Sequence, residues 1–121
     1  MLLPSSGPGR ITPAQAHHAV EDGSGLLADV REENEFRAGH APGAMFLPLS
    51  RLAEGAGVPG REDGRDLVLI CRSGSRSQQA ARLLARRGGG VAAVDVVGGM
   101  CAWVAGGLPV QDAHGAAGIV I

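Results

Sequence analysis

At 121 residues, 45% of them apolar and with a net charge of -1, the chain has the size of one domain with a real core, and no charge excess that would mark disorder or a polyanion binder. All eleven basic residues are arginine, which excludes a lysine Schiff base, a pyridoxal phosphate anchor and a Walker-type phosphate loop. Cys71 and Cys101 are too few for a disulfide framework, and Met1 to Gly7 has neither the basic nor the apolar region of a leader. A reducing, cytoplasmic setting is therefore expected, with no nucleic-acid or membrane partner.

The first ten residues are rich in Pro, Ser and Gly and are expected to form a flexible arm ahead of a domain over 11–110, with 111–121 as a tail. Thr12-Pro13-Ala14-Gln15 supplies a capping residue, a proline for the first helical position and a glutamine that closes a capping box, so a helix is predicted over Pro13 to Glu21, ending at Gly23. His17 and His18 are neighbours on that helix and point apart, which reads as solvated or half-buried histidines rather than a metal pair. Leu26 to Val30 is a short apolar strand running into Arg31, Glu32, Glu33 and Glu35, and Glu33 to Ala38 gives a short helix broken by Gly39. His40-Ala41-Pro42-Gly43-Ala44 is turn chemistry before a second strand, Met45-Phe46-Leu47, closed by Pro48. Ser50 is read as the cap of a brief helix through Leu52 and Glu54, and Gly55 to Asp66 as a surface loop.

Leu67-Val68-Leu69-Ile70 then reads as a strand buried on both faces. It stops at Cys71, and after Arg72-Ser73-Gly74-Ser75-Arg76-Ser77 a segment of helix formers, Gln78 to Arg87, carries Ala80, Leu83 and Leu84 on one face. A thiol between a strand end and a helix start lies among backbone N–H groups without partners, with Arg72 and Arg76 beside it, and this favours the thiolate. Gly88-Gly89-Gly90 ends the helix, and Ala92 to Val97 reads as a further buried strand. Gly98-Gly99 turns the chain into a helix holding Met100, Ala102, Trp103 and Val104, closed by Gly106-Gly107. Asp95 and these glycine pairs argue against a membrane span in the otherwise uncharged stretch from Gly88 to Val110. The apolar end Gly118 to Ile121 reads as an addition to a sheet edge, a contact with a second copy or a frayed terminus. The alternation of strands and helices predicts an α/β layer with a mainly parallel sheet, helices on both faces, and function at the carboxyl ends of the strands, where Cys71 lies.

Taken in order, Asp29-Val30-Arg31-Glu32, Glu35-Phe36, Gly39-His40-Ala41-Pro42-Gly43-Ala44, Cys71 to Ser77 and Gly98-Gly99-Met100-Cys101-Ala102-Trp103 resemble the motifs of single-domain rhodanese-like sulfurtransferases. The resemblance covers roughly Ile11 to Val110. It implies a five-stranded, mainly parallel sheet flanked by helices, and sulfane-sulfur transfer through a cysteine persulfide. The partners it implies are thiosulfate or another sulfane-sulfur donor, a thiol or cyanide as acceptor, and a sulfur-relay protein; no cofactor or metal is expected.

The loop chemistry fits that implication. N–H groups of residues 72 to 77 form an anion cradle, Gly74 lets the backbone bend around the sulfur, Ser73, Ser75 and Ser77 offer hydroxyl donors, and Arg72 or Arg76 meets the sulfonate oxygens of thiosulfate. Phosphatases and arsenate reductases of the same fold place five residues between cysteine and arginine, whereas Arg76 follows Cys71 after four. A non-catalytic persulfide carrier serving a partner protein is the alternative reading, and a phosphatase or arsenate reductase the third. Asp29 and Arg31 are read as a strand-end ion pair or loop brace, His40 as a hydrogen-bonded turn residue, and Trp103 as core. Cys101 is read as a small space-filling residue or as a resolving thiol for Cys71.

Overall fold

A computed structural model describes residues 9–60, 64–87 and 93–121. In chain order its elements are β1 (Gly9–Ile11), α1 (Pro13–Glu21), β2 (Gly25–Asp29), α2 (Glu33–Ala38), β3 (Met45–Phe46), α3 (Leu49–Ala53), β4 (Asp66–Ile70), α4 (Ser75–Arg86), β5 (Ala93–Val96) and α5 (Gly99–Ala105). The strands form one sheet in the order β1-β5-β4-β2-β3, and every neighbouring pair is parallel. The chain leaves β2 toward one edge and β4 toward the other, so the crevice above their carboxyl ends is a topological switch point, where α/β sheets bind ligands.

Side-chain alternation along β4 sorts the core into two layers. Leu67, Leu69 and Cys71 share one face with Leu52 of α3 and Ala80, Ala81 and Leu84 of α4, while Val68 and Ile70 pack on the other with Ala16 of α1 and Met100 and Trp103 of α5. The period of two therefore turns Cys71 toward α4. Trp103 is fully enclosed, and its indole N–H donates to the carbonyl of Pro109 at 2.8 Å.

Several boundaries depart from sequence expectation. Gly9 and Arg10, assigned to the arm, belong to β1, which pairs with β5 over Gly9↔Val94, Arg10↔Asp95 and Ile11↔Val96; the first eight residues lie outside the described residues. Asp66, assigned to the surface loop, opens β4, and 61–63 lie outside the described residues. Pro48, not Ser50, stands at the start of α3; Ser50 sits inside it and donates its hydroxyl to the Glu32 carboxylate at 3.1 Å. Helix α4 starts at Ser75, three residues early, so Arg76 and Ser77 stand in its first turn. The Gly88-Gly89-Gly90 terminator and Ala92 lie outside the described residues. The tail is neither frayed nor an added strand. Gln111 exchanges two backbone hydrogen bonds with His40, both at 2.9 Å, Ala113 N–H reaches the carbonyl of Arg37 at 3.0 Å, and Ile119 N–H that of Ala38 at 3.0 Å. A Cβ at Gly39 would sit 2.2 Å from the Ile119 carbonyl oxygen, so glycine there admits the tail.

Candidate active site

Cys71 closes β4 and is 1% exposed. Gly74 follows with φ +106°, a left-handed conformation that glycine adopts without penalty, and this bend brings its N–H to within 3.1 Å of the Cys71 sulfur. A side chain at Gly74 would also be obstructed: its Cβ would come 2.9 Å from Arg10 Nη2 and 3.3 Å from the Gly98 nitrogen. On the far side of the sulfur, the early start of α4 delivers Ser77, whose buried hydroxyl accepts from the Cys71 thiol at 3.4 Å and donates to Asp95 Oδ2 at 2.8 Å. Ser73, on the loop, and Ser75, the first residue of α4, are both exposed.

The loop is held from above by α5. Met100 N–H donates to the Cys71 carbonyl at 2.7 Å and Cys101 N–H to that of Arg72 at 2.9 Å. This approach requires Gly99, with φ +57°, because a Cβ there would lie 2.3 Å from the Cys71 carbonyl oxygen. Cys101 thus joins the loop through its backbone; its side chain is exposed, and both cysteines are free.

The two loop arginines differ in their commitments. Arg76 donates from both terminal nitrogens to the two oxygens of Glu35 on α2, at 2.7 and 2.8 Å, a fork-to-fork pair. The hydrogen bond from Arg76 holds the Glu35 carboxyl below the ordinary glutamate range, and the same bond raises the Arg76 guanidinium. Arg72 is exposed and donates through Nε to the main-chain oxygen of Ile121 at 3.0 Å.

Asp29 and Arg31 form a wholly buried pair at the end of β2. Arg31 Nη2 meets Asp29 Oδ2 at 2.7 Å and the carbonyl of Gly39 at 2.6 Å, while Arg31 Nη1 is buried with no partner among the described residues. His40 stacks on Phe36 at 3.9 Å, and its Nδ1 lies 2.7 Å from the Phe36 carbonyl oxygen. A carbonyl only accepts, so Nδ1 carries the proton and the ring is a turn brace. On α1, His17 packs edge-on against Trp103 at 5.7 Å and His18 faces Asp22 at 3.5 Å, so the adjacent histidines do diverge. Among the described residues no group of three or more His, Cys, Asp or Glu is arranged to hold a metal, and no helix is long and apolar enough to cross a membrane.

Sequence reasoning did not assign Arg10, Glu35, Asp95 or Gly99 to the site. Asp95 carried a signal, as a lone charge inside an apolar strand that has to be paired when buried. Arg10 carried none, because β1 is three residues long.

A thiol cradled by a backbone N–H and a serine hydroxyl, at the carboxyl end of a central parallel strand and ahead of a helix, defines a cysteine-loop α/β domain. The family model of the Rhodanese-like domain matches residues 12–106. A sulfurtransferase of Allochromatium vinosum is 37% identical over 94 residues, which make up 74% of this chain and 81% of that protein. The adenylyltransferase and sulfurtransferase MOCS3-1 of Zea mays is 36% identical over 108 residues, 84% of this chain and only 22% of the longer protein. Among solved structures, a rhodanese-related protein of Thermoplasma volcanium superposes with a TM-score of 0.73 at 29% identity, covering 84% of this chain and 96% of that one. The chain belongs to the rhodanese-like domain family, whose members include sulfurtransferases.

Proposed function

We propose that the protein is a thiosulfate sulfurtransferase, with Cys71 as nucleophile in a catalytic unit that includes β1 and so begins by Gly9, working in a reducing, cytoplasmic setting. One observation carries this reading: the Cys71 sulfur lies at the switch point of the sheet between the Gly74 N–H and the Ser77 hydroxyl. In the first half-reaction the Cys71 thiolate attacks the outer sulfur of thiosulfate, the sulfur–sulfur bond breaks, and sulfite leaves with its electron pair. In the second, cyanide or a thiolate attacks the terminal sulfur of the persulfide and the Cys71 thiolate leaves.

Arg72 is the better placed arginine for the sulfonate oxygens, because its guanidinium is exposed and engages the Ile121 main-chain oxygen through Nε, whereas Arg76 commits both terminal nitrogens to Glu35. That commitment, and the four-residue spacing from Cys71 to Arg76, count against phosphoryl or arsenate as the anion. A physiological donor or acceptor protein in a sulfur relay is compatible with the same chemistry, and the family resemblance to the maize enzyme supports it.

Steady-state thiocyanate formation from thiosulfate and cyanide tests the reading. Parallel lines in double-reciprocal plots, as expected of a double displacement, and loss of turnover in C71S support it. Absence of turnover with thiosulfate together with fast loading from a persulfidated protein would replace it with the carrier reading, and hydrolysis of an aryl phosphate or reduction of arsenate with the third.

A further inference from the structure

Asp95 is a buried carboxylate, 1% exposed, to which the transfer chemistry above gives no part. It stands on β5 directly opposite Arg10 of β1, and the guanidinium clamps it: Arg10 Nε meets Oδ1 at 3.0 Å and Nη2 meets Oδ2 at 3.1 Å. Arg10 Nη2 also lies 3.4 Å from the Gly74 carbonyl, which ties the clamp to the loop. The Asp95 hydrogen bond is the largest influence on the Arg10 guanidinium and raises it, and the field of Arg10 extends to Cys71. The second partner of Asp95 is the hydroxyl of Ser77, which also faces the Cys71 sulfur.

Ser77 has a single hydroxyl proton to place. While Cys71 is a thiol, that proton goes to Asp95 and the oxygen receives the S–H. When Cys71 becomes a thiolate, the S–H donor is gone and an oxygen lone pair would face the sulfur charge. Turning the hydroxyl proton onto the sulfur removes that repulsion at the expense of the bond to Asp95, which keeps both contacts to Arg10.

We propose that Asp95, clamped by Arg10, is a positioning residue that holds the Ser77 hydroxyl proton away from the resting Cys71 thiol and releases it to the sulfur anion, making Ser77 a two-position donor. The inference rests on the reading of Cys71 as the sulfur-carrying nucleophile. No covalent bond is made in this step: the S–H bond breaks, its electron pair stays on sulfur, the proton leaves to solvent, and the hydroxyl rotates.

Giving up the bond to Asp95 opposes ionisation of Cys71, so weakening Asp95 eases it. The other charges around the thiol are Arg10 from β1 and Arg76 from α4, with Glu35 of α2 countering Arg76, and Arg72 on the loop. Asp29 of β2 is closed by Arg31, and α5 brings the exposed Cys101 thiol and no charge.

The test is a double-mutant cycle on thiolate ultraviolet absorbance against pH, with no sulfur donor present, in a C101S background where Cys71 is the sole thiol. D95N is expected to lower the midpoint by roughly 1 to 2 units, the worth of one hydrogen bond to an anion. With S77A added, less than half of that shift remains. An unchanged or raised midpoint overturns the proposal, and so does a shift of equal size in the S77A background, which assigns Asp95 a charge effect alone. R10Q, at a side chain that is 39% exposed, gives a second cycle. It leaves Ser77 as the remaining partner of Asp95, and the midpoint rises, again by less with S77A; an equal rise overturns the proposal even where D95N does not fold. Because no sulfur is transferred in this experiment, failure of the thiocyanate assay and failure of the cycle are separate results.

Discussion

Glu35 reaches from α2 to Arg76 in the first turn of α4 and grips both terminal nitrogens of its guanidinium, at 2.7 and 2.8 Å. The pair joins the segment after β2 to the segment after β4, the two sides of the crevice in which Cys71 lies. Arg76 is thereby a strut of the cradle: it braces the first turn of α4, from which Ser77 meets the sulfur.

Removing the strut loosens that geometry. R76A leaves the Glu35 carboxylate, 15% exposed, without its partner, which costs about 1 to 3 kcal/mol in denaturant unfolding. Sulfur transfer falls roughly tenfold or more in kcat/KM through displacement of the loop. R76K keeps the charge but not the fork and recovers less than half of the loss in stability. Equal stability of R76A and the parent protein would contradict the role.

The same pair makes stability depend on acid pH with a defined sign. The Arg76 hydrogen bond depresses the Glu35 carboxyl in the folded state, so the unfolded chain binds the proton more readily. The contribution is fully present above the ordinary glutamate range and is lost as pH falls from that range through the lower folded value. Asp22 and Asp112 are depressed as well, by hydrogen bonds from Ser24 and from the His114 N–H, and add the same sign in both proteins. The difference in unfolding free energy between parent and E35Q therefore shrinks across that acid window and stays constant above it. A difference that grows as pH falls would contradict the assignment.

Gly99 separates steric from conformational demand. G99A places a Cβ 2.3 Å from the Cys71 carbonyl oxygen at φ +57°, whereas G115A has φ +82° and nothing within 4 Å. G115A is expected to cost about 1 kcal/mol, from backbone conformation alone. G99A costs more, roughly 2 kcal/mol or above, and also lowers transfer by the folded fraction, because α5 no longer seats on the loop. Thermal unfolding and turnover measured on both variants check this, and equal effects would refute the packing argument.

The sequence carried the elements whose signals are local. Thr12 and Gln15 form both halves of the capping box, so α1 spans Pro13–Glu21 as expected. The run Leu67 to Ile70 is a fully buried strand for the reason its composition suggested. Signals that depend on distant partners were not legible. Strand β1 exists because Arg10 lies opposite Asp95 across more than eighty residues of chain, and no three-residue pattern announces that. The start of α4 is displaced to Ser75 because the left-handed bend at Gly74 satisfies the turn before the better helix formers begin. The sequence places Arg76 in the loop, whereas it stands in the first turn of α4, and Glu35, forty-one positions away, decides what its guanidinium does. The tail is fixed by backbone hydrogen bonds to Arg37, Ala38 and His40, which composition does not encode.

The central claim is that Cys71 accepts sulfane sulfur, and intact mass spectrometry after incubation with thiosulfate tests it most directly. The account predicts a gain of one sulfur atom, mapped to Cys71, unchanged in C101S, absent in C71S and discharged by cyanide. No gain in mass, or a gain mapped to Cys101 alone, would contradict it.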